Sequence, residues 1–201
     1  MTLSSLYVEE VKAFLIGYIA GSILWGYIIP RIKGVDITKV GSGNPGMTNV
    51  YRALGAKWAF VVFVLDFLKA FIPTKFLGLW AGIGAILGHV FSPMLRFKGG
   101  KGIASSVGVA FAFNWKVGLL GVVAFAVVFY AFRYVSVASL TMMVVFTISS
   151  VFFLARSYVY AFLGLLILSV FTHRENIKRL LRGEELAIKF GKDELRSEKE
   201  G

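Results

Sequence analysis

Residues 117–132 read VGLLGVVAFAVVFYAF and residues 134–155 read YVSVASLTMMVVFTISSVFFLA, two charge-free stretches parted only by Arg133. The fold turns on whether the first is a membrane span of its own or the second half of a longer helix. At 1.5 Å per residue, a helix needs about 20 residues to cross roughly 30 Å of hydrocarbon. With 16 residues the stretch is marginal, and the run before it, Ile103 to Trp115, has only 13. The alternative is one helix carrying Lys116 at its middle. Elsewhere the charge-poor runs are Ala13 to Pro30, Trp58 to Thr74 (interrupted by Asp66 and Lys69), Phe76 to Leu95 and Ser157 to Thr172.

The positive-inside rule separates the two readings. With seven spans, Arg31, Lys33, Lys39, Arg52, Lys57, Arg96, Lys98, Lys101, Arg133 and the eight basic residues from Arg174 onward share one side, 17 in all. Lys12, Lys75, Lys116 and Arg156 take the other, and Lys69 lies within a span. Merging the two short runs leaves 9 on one side and 11 on the other, and the bias vanishes. The sequence therefore predicts an all-α integral membrane protein of seven transmembrane helices, some of them short, with the N-terminus outside and the C-terminus cytoplasmic.

Composition agrees. Hydrophobic residues make up 57% of the 201, and charged residues only 16%, against about a quarter in soluble domains; mean hydropathy is +0.75. The first run follows Glu9, Glu10 and Lys12 and ends without a small-residue cleavage site, so it reads as a retained span. Absence of cysteine excludes disulfides, a thiolate nucleophile and Cys-ligated metal, and two histidines, His89 and His173, are too few for most histidine-based metal sites. No metal or cofactor is expected. The net charge of +11 reads as topology and attraction to an anionic leaflet, with no need of nucleic acid. Residues 1–185 form one polytopic domain, and 186–201 a charged, solvated cytoplasmic tail.

Seven spans place three unusual stretches on the cytoplasmic side, where they can converge. The first is VGSGNPGMTNVYRALG, Val40 to Gly55. Its glycines, Asn44 and Pro45 force a tight turn, while Ser42, Thr48 and Asn49 are neutral donors and Arg52 is a planar fork suited to phosphate oxygens. The second is KGGKG, Lys98 to Gly102, followed by Ser105 and Ser106 at a helix N-terminus whose partial positive charge favours an anion. The third is HRENIKRLLRGEE, His173 to Glu185. His173 and Asn176 share a helix face and read as functional, whereas Arg174, Lys178, Arg179 and Arg182 read as lipid-headgroup contacts.

GSGNPGMTN with Arg52, KGGKG and HREN resemble, in order and spacing from about Gly21 to Glu185, the bacterial membrane acyl-phosphate:glycerol-3-phosphate acyltransferases, the PlsY family. The resemblance implies acyl transfer from acyl phosphate to the 1-hydroxyl of sn-glycerol 3-phosphate in the bacterial plasma membrane. The products are 1-acylglycerol 3-phosphate and phosphate, the first committed step of phospholipid synthesis, with catalysis at the cytoplasmic face and transient contact with the enzyme that makes acyl phosphate. It also implies functional roles for Ser42, Arg52, His173 and Asn176, glycerol phosphate binding by Lys98 to Gly102, and a structural role for Glu175.

An acyl phosphate is already activated, so the chemistry reduces to positioning and electrostatics. Ser42, Arg52 and Lys101 are assigned to the acyl phosphate and leaving phosphate, Lys98 and the amides of Gly99, Gly100 and Gly102 to glycerol phosphate, and His173 with Asn176 to the hydroxyl or oxyanion. The two phosphate sites are interchangeable at this level, and the base is His173 or a substrate phosphate oxygen. Gly43, Asn44, Thr48, Asn49 and Ser105 complete the binding set, together with Arg133, Ser136 and Ser139, which extend the phosphate site or anchor a span boundary. Asp66 and Lys69 read as a pair within the bundle, His89 as a satisfied structural histidine, and Gly82, Gly84 and Gly88 as close helix packing. An anion transporter would place its polar site near the bilayer midplane between repeats, and a scaffold would not need Arg52, Lys101 and His173 together.

Overall fold

The computed structural model describes residues 3–188, and those residues contain helices and no strand. Ten α-helices follow in order: α1 (Leu3–Ser22), α2 (Trp25–Ile32), α3 (Met47–Leu54), α4 (Ala56–Leu77), α5 (Leu79–Val90), α6 (Ile103–Phe113), α7 (Trp115–Phe132), α8 (Val135–Phe153), α9 (Arg156–Thr172) and α10 (Arg174–Leu181). Each of the seven runs has its helix. Three stretches are long and apolar enough to cross a membrane, Ser5–Ile32, Trp115–Phe132 and Val135–Phe153. A fourth forms if α9 and α10, bent by 56° at His173, count as one broken span. The helices α5 and α6 have 12 and 11 residues, and α4, at 22 residues, carries Asp66 and Lys69.

The quoted stretch is separate from the run before it. Asn114, extended at φ −157°, ends α6, and its side-chain oxygen accepts the Lys116 N–H at 2.9 Å to start α7. At the other end Arg133, at φ +64°, turns the chain into α8.

Close packing begins with glycine. Gly17 and Gly21 of α1 face Ala81 and Ala85 of α5, and Gly84 and Gly88 of α5 face Phe14 and Tyr18 of α1. A Cβ at any of the four would stand 2.0–2.2 Å from a backbone oxygen of the partner helix, so only glycine permits this crossing. Gly82 instead faces Thr74. On the far side α7, α8 and α9 interlock through Phe146, which lies against Gly121 and the ring of Phe162. The outward surface is apolar, with Phe76, Tyr130 and Phe152 at 80%, 77% and 76% exposure, as lipid contact requires.

Two connections between helices are longer than the rest. The segment from Gly34 to Gly46 links α2 to α3, and residues 91–102 link α5 to α6. These carry the first two motifs.

Candidate active site

Asn49 builds the first wall. Buried on α3, it donates through Nδ2 to the carbonyls of Val40 (2.8 Å) and Ile37 (3.2 Å) and accepts the Ser42 N–H through Oδ1 (3.1 Å). The loop wraps so tightly that a Cβ on Gly41, whose φ is +54°, would lie 2.4 Å from Oδ1 of Asn49. Asn49 thus holds the backbone that presents Ser42, while Arg52 leaves the same helix one turn later.

The second wall is the start of α6. Gly102, at φ +78°, caps the helix, and its first residues together with Lys101 face a cavity of about 520 Å³. Unbonded N–H groups at a helix N-terminus beside an ammonium form an anion site.

The third wall comes from the end of α9 and from α10. His173 is 2% exposed, and its Nδ1 lies 2.8 Å from the Ser169 carbonyl. A carbonyl only accepts, so Nδ1 carries the hydrogen and Nε2 is the free base. Asn176 accepts from the Lys101 ammonium and donates through Nδ2 to Oε1 of Glu185 at 2.6 Å. The same oxygen accepts from the Ser136 hydroxyl at 2.8 Å, and Oε2 accepts from Nε of Arg179 at 2.9 Å.

Three cations, Arg52, Lys101 and Arg179, therefore surround one carboxylate at the polar end of the cavity. Burial would raise the Glu185 carboxyl, but hydrogen bonds from Asn176, Ser136 and Arg179 and the charge of Arg179 outweigh it and hold it below the usual range. Burial pushes the Lys101 ammonium down to about 8, with the charges of Arg179 and Arg52 adding to the effect and Glu185 opposing it. The other end of the cavity is apolar, lined by Phe60, Phe63, Val107, Val122, Phe125 and Met142.

Of the residues named from sequence, Ser42, Asn44, Thr48, Asn49, Arg52, Lys101, Gly102, Ser136, Ser139, His173 and Asn176 line this cavity, and so do Asp66 and His89, which read as structural. Others do not. Lys98 is exposed and outside the lining, and the amides of Gly99 and Gly100 are committed to the carbonyls of Val90 (2.9 Å) and His89 (3.1 Å). Ser105 is buried, donating to the Asp66 carbonyl at 3.2 Å. Gly43 is outside the lining, its N–H donating to the Val40 carbonyl at 2.9 Å, and Arg133 stacks on Tyr130 with its guanidinium carbon 5.2 Å from the ring centre.

Glu175, expected to be structural, is exposed and pairs with Lys178 at 3.1 Å; the carboxylate that bridges the site is Glu185. Two readings are corrected. Arg179 faces the cavity and not the lipid headgroups. The chain after Glu185 does not leave the body at once, because the Leu186 carbonyl accepts from Arg52 at 3.1 Å and the Ile188 N–H donates to Arg133 at 3.1 Å. Residues 189–201, the rest of the expected tail, lie outside the described residues.

A family model of glycerol-3-phosphate acyltransferases matches residues 11–183. The glycerol-3-phosphate acyltransferase of Aquifex aeolicus is 43% identical over 188 residues, covering 85% of this chain and 95% of that protein. Glycerol-3-phosphate acyltransferase 2 of Thermotoga maritima is 37% identical, covering 89% and 96%. Crystal structures of PlsY (YgiH), an integral membrane glycerol 3-phosphate acyltransferase, superpose with TM-scores of 0.88 for the glycerol 3-phosphate form and 0.84 for the lysophosphatidic acid form. The first is 38% identical and covers 92% of this chain and 98% of that one. The second is 37% identical and covers 90% and 95%.

Proposed function

The chain belongs to the glycerol-3-phosphate acyltransferase family, an integral membrane acyltransferase of phospholipid biosynthesis, and we propose that its acyl donor is acyl phosphate. In this reading a fatty acyl group passes to the 1-hydroxyl of sn-glycerol 3-phosphate, giving 1-acyl-sn-glycerol 3-phosphate and phosphate. One observation supports it above the rest. A single cavity joins a polar end holding Arg52, Lys101, Arg179, His173 and Asn176 to an apolar end of phenylalanine, valine and methionine. Two phosphates and an acyl chain need such a chamber.

The hydroxyl oxygen attacks the acyl carbonyl carbon, the bond to the phosphate oxygen breaks, and the electron pair leaves with phosphate. Nε2 of His173, unprotonated at rest, takes the hydroxyl proton, and a phosphate oxygen of the substrate is the rival acceptor. Arg52 and Lys101 stabilise charge that develops on the leaving phosphate, acting from fixed positions in a partly desolvated wall. Ser42, held at the rim by Asn49, adds a neutral donor there.

The motifs are proposed to face the cytoplasm of a bacterial plasma membrane, with seven crossings and the N-terminus outside. Single cysteines at Lys39, Lys98 and Lys178 then label from the inside only. Purified, reconstituted protein given palmitoyl phosphate and glycerol 3-phosphate, without nucleotide or metal, releases phosphate and the monoacyl product. Equal rates with palmitoyl-CoA would exclude acyl phosphate as the specific donor.

A further inference from the structure

In the wall of the cavity lies a second charged cluster for which the chemistry above has no use: Asp66 and His89 line the cavity, and Lys69 stands behind them. Asp66 and Lys69 on α4 and His89 on α5 are 1%, 8% and 3% exposed. The Lys69 ammonium forms an ion pair with Oδ1 of Asp66 at 2.7 Å and donates to the Ile23 carbonyl at 2.6 Å and to Nδ1 of His89 at 2.9 Å. Because an ammonium only donates, Nδ1 of His89 accepts, and Nε2 bears the imidazole hydrogen.

Such a group is expensive in a membrane helix, and although Lys69 also holds the break between α1 and α2 through the Ile23 carbonyl, that single tie does not call for an imidazole. The α1–α5 contact already rests on glycine, on Tyr18 donating to the Phe91 carbonyl (2.7 Å) and on Ser92 donating to the Ser22 carbonyl (2.6 Å). What the cluster controls is the loop after α5. The Gly100 N–H donates to the carbonyl of His89 itself, and its Cα rests on the ring, since a Cβ there would stand 2.2 Å from Nε2. The next residue is Lys101.

We propose that Asp66, Lys69 and His89 form a positioning unit that fixes the imidazole as a template for Gly99 and Gly100, and so places the Lys101 ammonium against Asn176 at the substrate site. Lys69 sets the ring, the ring sets the glycines, and the glycines set the lysine. The consequence for catalysis rests on the acyltransferase reading, whereas the mechanical link from Lys69 to the loop does not.

The variant Asp66→Leu/Lys69→Met removes both charges and keeps apolar volume, a replacement that leaves purely structural ion pairs neutral or better. The unit predicts otherwise. Folded protein, checked by thermal unfolding in detergent, should show amide exchange at residues 98–101 faster by about tenfold or more. Its kcat/KM should fall at least tenfold, and the alkaline limb of its pH profile should move up from near 8 toward the ordinary lysine range as Lys101 becomes solvated. Asp66→Asn, a smaller change, should move the same readouts in the same direction should the double variant not fold. Wild-type exchange at 98–101 together with an unmoved limb in either folded variant overturns the proposal. If wild-type protein ignores acyl phosphate, the donor assignment fails, and amide exchange alone still decides the link.

Discussion

The side chain of Asn176 accepts from the ammonium of Lys101, 75 residues earlier in the chain, and donates to Glu185, nine residues later. The second and third motifs thus meet through one amide. It can serve both because its oxygen only accepts and its nitrogen only donates. An aspartate there would lose the donor and set two carboxylates face to face, so Asn176→Asp should be more damaging than Asn176→Ala. Comparing the initial rates of the two variants tests this, and the reverse order would mean that the amide is not the bridge.

Glu185 is the hub that the cations share. Glu185→Gln keeps a side chain that can accept, but it leaves Arg179 and Lys101 without their counter-charge. Glu185→Ala also removes the acceptor of Asn176, Ser136 and Arg179 together. Leaving these part-buried donors without their acceptor costs on the order of 1–3 kcal/mol, so the alanine variant should melt a few degrees lower and lose most activity. Glu175→Ala, on the exposed face of α10, should do neither. Thermal unfolding of the two proteins side by side is the measurement.

A helix for each apolar run and most of the cavity are legible in the chain, and the reasons are physical. Charge-free runs must be buried in lipid or protein, so helices fall where charges are absent, even at the short α6. The break at Asn114 also follows a local rule, a side chain that caps the next helix. Glu185 was hidden because it sits in a charged stretch, after Gly183, that looks solvated, and its burial arises only when the chain folds back over the cavity. Lys98 misled for the opposite reason. Glycine beside lysine suggests amides cradling phosphate, but those amides cap the last carbonyls of α5, and glycine is needed so that Gly100 can lie against His89.

Activity should depend on pH through Lys101. Burial holds its ammonium near 8, and it is the charged form that binds phosphate. The group is therefore active below that value and is lost as pH rises through it. The profile of kcat/KM, which reports free enzyme, should fall above about 8. Bound phosphate favours the ammonium, so the limb in kcat should lie higher. Lys101→Arg would remove both limbs, since guanidinium does not titrate there, at the cost of misplaced donors.

Arg52 tests geometry against charge. Its Nη2 donates to the Leu186 carbonyl at 3.1 Å, and the planar fork keeps further N–H donors for substrate. Lysine keeps the charge and loses the fork. Arg52→Lys should reduce turnover at least about tenfold, equivalent to roughly 1.4 kcal/mol of transition-state stabilisation. Full turnover in folded Arg52→Lys protein would show that only the positive charge matters at this position.

Lys98 and Gly100, two residues apart, should respond in opposite ways. Lys98 points away from the cavity and is exposed, so Lys98→Ala should leave KM for glycerol 3-phosphate and kcat within about twofold of wild type. Gly100 carries no functional group, but a methyl there meets Nε2 of His89 at 2.2 Å, well inside van der Waals contact. Either the ring or the loop must shift, and both movements disturb Lys101. Gly100→Ala should therefore cut kcat/KM at least tenfold while the protein still inserts, and a smaller side chain at position 89 should relieve it. In Gly100→Ala/His89→Ala protein the added methyl should cost little beyond the His89→Ala change itself, because the clashing ring is gone. If Lys98→Ala raises KM tenfold while Gly100→Ala is silent, the loop binds substrate through its exposed lysine, and the packing account of its glycines is wrong.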